Sequence, residues 1–116
     1  MEKKIYIGAA YYPEMWPKEE IEKDIARCRE AGVNVLRRGE FAWGKMEPRE
    51  GELHLDWLKE VVDRLYGAGI ATVMCTPSAT PPRWLLNKYP ATRMVMHDLI
   101  RAAVTAKTAK THSAAI

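Results

Sequence analysis

Apolar residues in this chain fall into three short continuous runs separated by two stretches of helical periodicity. Lys4 to Ala10, Val33 to Leu36 and Ile70 to Cys75 are rich in β-branched and aromatic residues without alternation, the pattern of strands buried on both faces. Between them, Ile21, Ile25 and Cys28 recur at spacings of four and three, and so do Leu58, Val61, Val62 and Leu65. Each set makes one apolar stripe of an amphipathic helix, with Lys23, Arg27 and Glu30 on the solvated face of the first. Pro17 is expected to open that helix at its first position, with Glu19, Glu20 and Glu22 near the positive end of its dipole and Ala31-Gly32 as the stop. Asp56 is expected to cap the second, which Gly67-Ala68-Gly69 closes. His54, in the turn before it, reads as a surface or capping residue.

Strand, helix, strand, helix, strand with short connections implies parallel βαβ units. Repeats of about 30 residues suit an open doubly wound sheet or a (β/α)8 barrel. No glycine-rich phosphate loop follows the first strand, which favours the barrel. The fold expectation is therefore α/β, the N-terminal portion of a (β/α)8 TIM barrel, about three βα units. In such folds ligands bind at the carboxyl ends of the strands, which directs attention to three segments. These are Tyr11-Tyr12-Pro13-Glu14-Met15-Trp16-Pro17, Arg37-Arg38-Gly39-Glu40-Phe41-Ala42-Trp43, and the proline-stiffened loop from Thr76 to Leu85. The aromatics of the first loop could stack on the apolar face of a sugar ring or on another flat ligand, or could simply pin the loop to the barrel rim.

Composition narrows the function classes. The chain has 116 residues, 47% of them hydrophobic, enough for one soluble domain with a core and short of two. Lys plus Arg number 18 and Asp plus Glu 15, and the resulting net charge of +3 comes entirely from the residues after Pro90. A neutral body with a weakly basic tail argues against a nucleic-acid partner. No apolar stretch approaches the roughly 18 residues of a membrane span, and Met-Glu-Lys-Lys does not open a signal peptide. Cys28 and Cys75 are far apart and are expected to be buried free thiols, so a cytoplasmic protein is expected. The segment from Ala102 to Lys110 is repetitive, small and basic, with no packing period. The chain thus divides into residues 1–90, the βα units, and residues 91–116, a divergent tail expected to be poorly ordered.

The loop motifs also carry a resemblance. Tyr11 to Pro17, then Arg37 to Trp43 with Glu47-Pro48, then Thr76-Pro77-Ser78-Ala79-Thr80-Pro81-Pro82 with Trp84-Leu85 and Tyr89-Pro90, resemble the opening of glycoside hydrolase family 42, the β-galactosidases. The resemblance covers residues 4–90, with three motifs in order, each at the carboxyl end of an expected strand. It implies a catalytic barrel that removes terminal non-reducing β-D-galactose with retention, takes a β-galactoside as substrate, needs no cofactor, and is usually a homotrimer. Retention uses two carboxyl groups about 5 to 5.5 Å apart, one as acid and base and one as nucleophile.

In the family the acid/base glutamate follows an asparagine after the fourth strand, and the nucleophile lies on a much later one. This sequence has no Asn-Glu dipeptide and no glutamate after Glu60, so no catalytic residue is assigned. With a full barrel taking about 250 residues, the chain reads as an incomplete catalytic domain, inactive and marginally stable alone.

By resemblance, Arg37 lies beneath the sugar and hydrogen-bonds the nucleophile. Glu40 and Trp43 border the galactose pocket, and Tyr12 and Glu14 belong to the first βα loop. A simple rim pairing of Arg37 with Glu40 is the alternative. The remaining readings are a non-catalytic carbohydrate-binding remnant and a fragment that complements a partner carrying the other strands.

Two departures stand out. Arg38 occupies a position the family usually gives to an apolar residue, which would destabilise the fold unless its stem carries the charge to solvent. Beyond Pro90, Lys107, Lys110 and His112 lie where many members have paired arginines and a zinc-binding cysteine, so no metal is assigned.

Overall fold

A computed structural model describes residues 3–93. Three parallel strands, β1 (Gly8–Ala10), β2 (Val35–Arg38) and β3 (Ala71–Met74), form one sheet in the order β1-β2-β3. Gly8 pairs with Val35, and Val35 in turn with Ala71. The helices are α1 (Glu20–Glu30), α2 (Trp43–Met46), α3 (Asp56–Gly67) and α4 (Arg83–Lys88), with single 3-10 turns at Pro13–Met15, Pro77–Ala79 and Pro90–Thr92. Of the tail expected over 91–116, residues 94–116 lie outside the described residues.

The two long helices share one side of the sheet. Ile21 and Ile25 of α1, Val61 and Leu65 of α3, and Leu36 and Ile70 form a single buried cluster, with Cys28, Val33 and Tyr11 packed around it. The helical stripes read from the sequence thus supply this core, except that Leu58 packs with Ala42 and Met46 in a second cluster and Val62 is only half-buried. Both helices close the same way. Val33 N–H bonds the Cys28 carbonyl at 2.8 Å and Ile70 N–H bonds the Leu65 carbonyl at 2.9 Å, each past a left-handed glycine, Gly32 or Gly69. On the outer side, Arg64 to Glu22 at 3.5 Å ties the two helices together, and Lys18, in the turn before α1, reaches Glu60 of α3 at 2.6 Å.

Several sequence expectations need correction. The strands are not buried on both faces, because α1 and α3 cover only one. Gly8, Ala9 and Ala10 are exposed, and Ile5, Tyr6, Ile7, Val73 and Met74 are half or more exposed. The first strand is also shorter than Lys4 to Ala10. Residues 5–7 are held by Asn34, whose backbone N–H donates to the Ile7 carbonyl at 2.9 Å, whose Oδ1 accepts from Ile7 N–H at 2.8 Å and whose Nδ2 donates to the Ile5 carbonyl at 2.9 Å.

The second strand runs two residues later than Val33 to Leu36. It therefore includes Arg37 and Arg38, whose carbonyls accept from Tyr11 N–H and Cys75 N–H. Pro17 sits in the turn before α1 rather than at its first position, its carbonyl accepting from Glu20 N–H. Asp56 makes no capping hydrogen bond and is the first residue of α3, where its charge still meets the helix dipole.

Strand alternation sends Arg37 and Arg38 to opposite faces. Arg37 points to the open face, its side chain 53% exposed, while Arg38 enters the helix-covered layer and is 0% exposed. The stem of Arg38 does not reach solvent, contrary to the route that would have relieved its charge. The N–H groups of its guanidinium have no hydrogen-bond partner among the described residues, and its centre lies 5.8 Å from the Tyr11 ring centroid.

Candidate functional site

The site is built where the sheet gives way to loops. Gly39 ends β2 with φ at +90°, and a Cβ there would lie 3.0 Å from the Met74 sulfur and 3.3 Å from the Cys75 carbonyl. Only glycine fits this turn without strain. It releases the chain so that Glu40 folds back toward the residues three before it. The Glu40 Oε1 atom accepts from the Tyr12 hydroxyl at 2.6 Å and from Arg37 Nη2 at 3.2 Å. Tyr12 leaves β1 two residues past its end and Arg37 is on β2, so the trio spans the carboxyl ends of both strands. Donation to Glu40 raises the Tyr12 hydroxyl above its ordinary pKa, with Arg37 acting the opposite way.

The tyrosines of the first loop separate by face. Tyr12 faces the open side, where its ring meets Phe41 at 5.3 Å between centroids and 50° between planes. Tyr11 faces the helices and donates its hydroxyl to Asp24 Oδ2 at 2.9 Å. Burial first, and that hydrogen bond second, push the Tyr11 phenol well above its usual range.

Of the five residues nominated from the sequence, Tyr12, Arg37 and Glu40 are brought into one hydrogen-bonded group. The alternative pairing of Arg37 with Glu40 is therefore present, and it coexists with the site geometry. Trp43 starts α2 and is tied elsewhere, its indole Nε1 donating to Glu47 Oε2 at 2.8 Å. Glu14 lies in the 3-10 turn, with both carboxylate oxygens buried and without a hydrogen-bond partner among the described residues.

Sequence reasoning did not nominate Phe41 or Glu47. Phe41 stands inside the Glu40 to Trp43 motif and is 48% exposed, a large apolar side chain displayed beside a carboxylate. Glu47 precedes a proline and read as part of a turn. Its carboxylate in fact accepts two donors, Trp43 Nε1 and Gly51 N–H, which hold it below the usual carboxylate range, the tryptophan being the larger influence. Among the described residues no group of three or more His, Cys, Asp or Glu side chains is placed to hold a metal ion.

Chemically, the arrangement offers a charged acceptor, a guanidinium, a phenol and exposed aromatic rings on one open surface. That set suits a polyhydroxylated ligand, with hydroxyls bonded by the polar groups and a C–H face on the rings. Three parallel strands in sequential order, with helices on one face and this surface at their carboxyl ends, have the arrangement of consecutive units of a βα barrel.

The model of the glycoside hydrolase 42 family, described as β-galactosidase, matches residues 10–115. The chain is 53% identical over 88 residues to β-galactosidase YesZ of Bacillus subtilis, covering 76% of this chain and 13% of that one. It is 49% identical over 84 residues to a β-galactosidase of Thermus thermophilus, covering 72% of this chain and 13% of that one. The β-galactosidase structure from the psychrophilic Marinomonas ef1 superposes with a TM-score of 0.71 at 43% identity, over 74% of this chain and 13% of that one. The chain belongs to glycoside hydrolase family 42 and corresponds to the N-terminal part of its catalytic TIM barrel. It spans 13% of the length of these curated relatives.

Proposed function

We propose that this chain forms the first βα units of a retaining β-galactosidase and contributes one wall of its galactose site, the two catalytic carboxylates lying outside these 116 residues. The observation that carries the reading is the convergence of Tyr12 and Arg37 on Glu40, from two different strands, on the uncovered face of the sheet. In this role Arg37, 53% exposed here, projects toward the interior of a completed barrel and bonds the nucleophile carboxylate. Glu40 and Tyr12 take sugar hydroxyls, Trp43 borders the pocket, and Glu14 offers its unpartnered carboxylate to a donor of the ligand or of a later strand. The same reading assigns the assembled enzyme to the cytoplasm, where the free thiols of Cys28 and Cys75 stay reduced, and to a homotrimer.

The buried charge of Arg38 supports a second reading, a non-catalytic remnant, because a completed barrel, whether one chain or complemented by a partner, would have to keep that charge buried.

A segment exchange tests both. Residues 4–90 of this chain are placed into the B. subtilis relative over the matched stretch, and hydrolysis of a chromogenic β-galactoside is measured. Versions with Arg38→Leu and with Arg37→Ala are made alongside. Turnover by the exchanged enzyme, lost with Arg37→Ala, supports the galactosidase role. Turnover only with Arg38→Leu supports the remnant. A fully active Arg37→Ala enzyme overturns the placement of the site. The 116-residue chain alone is expected to show no turnover.

A further inference from the structure

Three hydrogen-bond donors from different parts of the chain converge on Glu47. Its Oε2 accepts from Trp43 Nε1 at 2.8 Å, its Oε1 from Gly51 N–H at 2.8 Å, and its main-chain carbonyl from Trp84 Nε1 at 2.8 Å. Trp43 opens the short helix after β2, Gly51 lies in the following turn, and Trp84 is on the helix after β3. Glu47 therefore joins the loops above two adjacent strands. An indole has one donor, and nothing in this fold guarantees that it finds an acceptor. Trp57 Nε1 is buried with no partner among the described residues, and its ring is instead covered by Lys45 Nζ at 4.3 Å.

We propose that Glu47 is a positioning residue for the galactoside site, its carboxylate fixing the ring plane of Trp43 and its main-chain carbonyl that of Trp84. The inference rests on Trp43 bordering the sugar. A tryptophan that presents a face or edge to a sugar is useful only at a set tilt, and the anchor supplies a charge-assisted hydrogen bond at the far end of the ring. Because the two indoles are held by different parts of one residue, the side chain can be changed while the Trp84 bond stays as an internal reference.

The test uses the full chain labelled with nitrogen-15, the indole N–H resonances of Trp43 and Trp84 being assigned by Trp43→Phe and Trp84→Phe. In Glu47→Ala, solvent exchange of the Trp43 indole proton is expected to speed up about tenfold, as befits loss of a hydrogen bond to a charged group, with Trp84 unchanged. Glu47→Gln, whose side-chain carbonyl can take the same proton, is expected to restore most of the protection.

Methyl β-galactoside should shift the Trp43 indole resonance in the segment-exchanged enzyme, which completes the site, and in its Glu47→Gln version, and leave it unmoved with Glu47→Ala. A sugar response that persists with Glu47→Ala overturns the positioning role alone. No sugar response in the exchanged enzyme removes the galactose reading and the positioning role with it, even with the indole bond intact. If Glu47→Ala does not fold, acid titration of the native chain serves. The Trp43 indole and the Gly51 amide should then move together with one midpoint below the usual glutamate range, and separate midpoints overturn the proposal.

Discussion

Arg38 is completely buried, and the centre of its guanidinium lies 5.8 Å from the centroid of the Tyr11 ring. Tyr11 and Cys28 are its favourable neighbours, and the nearby carboxylate of Asp24 is engaged by the Tyr11 hydroxyl and by Arg27 Nη1 at 2.8 Å rather than by Arg38. Burial accordingly lowers the guanidinium pKa from its ordinary value. A cation–π contact contributes about 2 kcal/mol or somewhat more when desolvated, less than the several kcal/mol it costs to strip the ion of water.

Arg38→Leu should therefore stabilise the chain by about 1 to 4 kcal/mol, the range of stabilisation seen where buried ion pairs give way to apolar residues of similar volume. Urea unfolding followed by far-ultraviolet circular dichroism checks this. The midpoint should rise with an unchanged slope. An unchanged or lowered midpoint would mean that the guanidinium is satisfied in solution.

Tyr11 makes a prediction at the alkaline end. Its folded pKa is raised, so the stabilisation is fully present below the unfolded phenol value of about 10 and is lost as pH climbs from there toward the folded value. Stability should fall above about pH 10 in the native chain. Tyr11→Phe should flatten that fall while losing about 1 kcal/mol at neutral pH, a typical net hydrogen bond. Absorbance titration near the tyrosinate band should show Tyr11 ionising last. Ionisation of all tyrosines in one normal step would refute the coupling.

What the sequence disclosed and what it hid follow from the range of the interactions concerned. The stripes Ile21-Ile25 and Leu58-Val61-Leu65 are local periodicities, and they are buried, Leu58 in a second cluster with Ala42 and Met46. The glycine stops at Gly32 and Gly69 are local too, and both close their helices. The strands were recognisable as elements, but their solvation was not, because burial depends on how many layers surround a sheet. The register was also hidden. Val33 was counted as strand because it is β-branched, yet its N–H closes α1, which delays β2 until Val35. Of the site, the loop positions of Tyr12, Arg37 and Glu40 were legible from strand ends and family motifs. The Trp84 bond to the Glu47 carbonyl was not, since it joins residues 37 apart, whereas the Trp43 bond to the Glu47 carboxylate spans only four residues and is a local i,i+4 contact.

The core cluster sets the scale of ordinary damage. Leu65 is 1% exposed and packs with residues of α1, β2 and α3, so Leu65→Ala should cost about 2 to 5 kcal/mol. In a chain whose sheet is covered on one face only, that loss should abolish the cooperative thermal transition. A clear transition within a few degrees of the native one would show that this cluster does not hold the fold.

Gly39→Ala tests the turn on which the site depends. Its φ of +90° and the 3.0 Å approach of the Met74 sulfur both oppose a Cβ. Backbone strain alone costs about 1 to 3 kcal/mol. The sulfur, at the end of a flexible side chain, can retreat, but the Cys75 carbonyl at 3.3 Å belongs to the backbone. The change should lower the unfolding midpoint and also shift the Glu40 carboxyl resonance, since Glu40 is placed by this turn. A lowered midpoint without any change at Glu40 would separate the glycine from the site.

The last prediction concerns the bond between Arg37 and Glu40. At 3.2 Å, with Arg37 53% and Glu40 15% exposed, the pair is well solvated on one side. After discounting for screening, its coupling in a double-mutant cycle of Arg37→Ala and Glu40→Ala should fall below about 1 kcal/mol. Such a pair contributes little to holding the sheet, and Tyr12 already bonds the same Glu40 oxygen. If rim pairing were the whole purpose of these residues, their coupling should be well above the range of surface pairs, and the segment-exchanged enzyme should tolerate Arg37→Ala once folded. If they serve the sugar, coupling in the isolated chain should be small while Arg37→Ala in the exchanged enzyme lowers kcat/KM by tenfold or more, about 1.4 kcal/mol of transition-state binding. Comparing these two numbers separates a structural ion pair from a binding group, because the first acts on unfolding and the second only when a substrate is present.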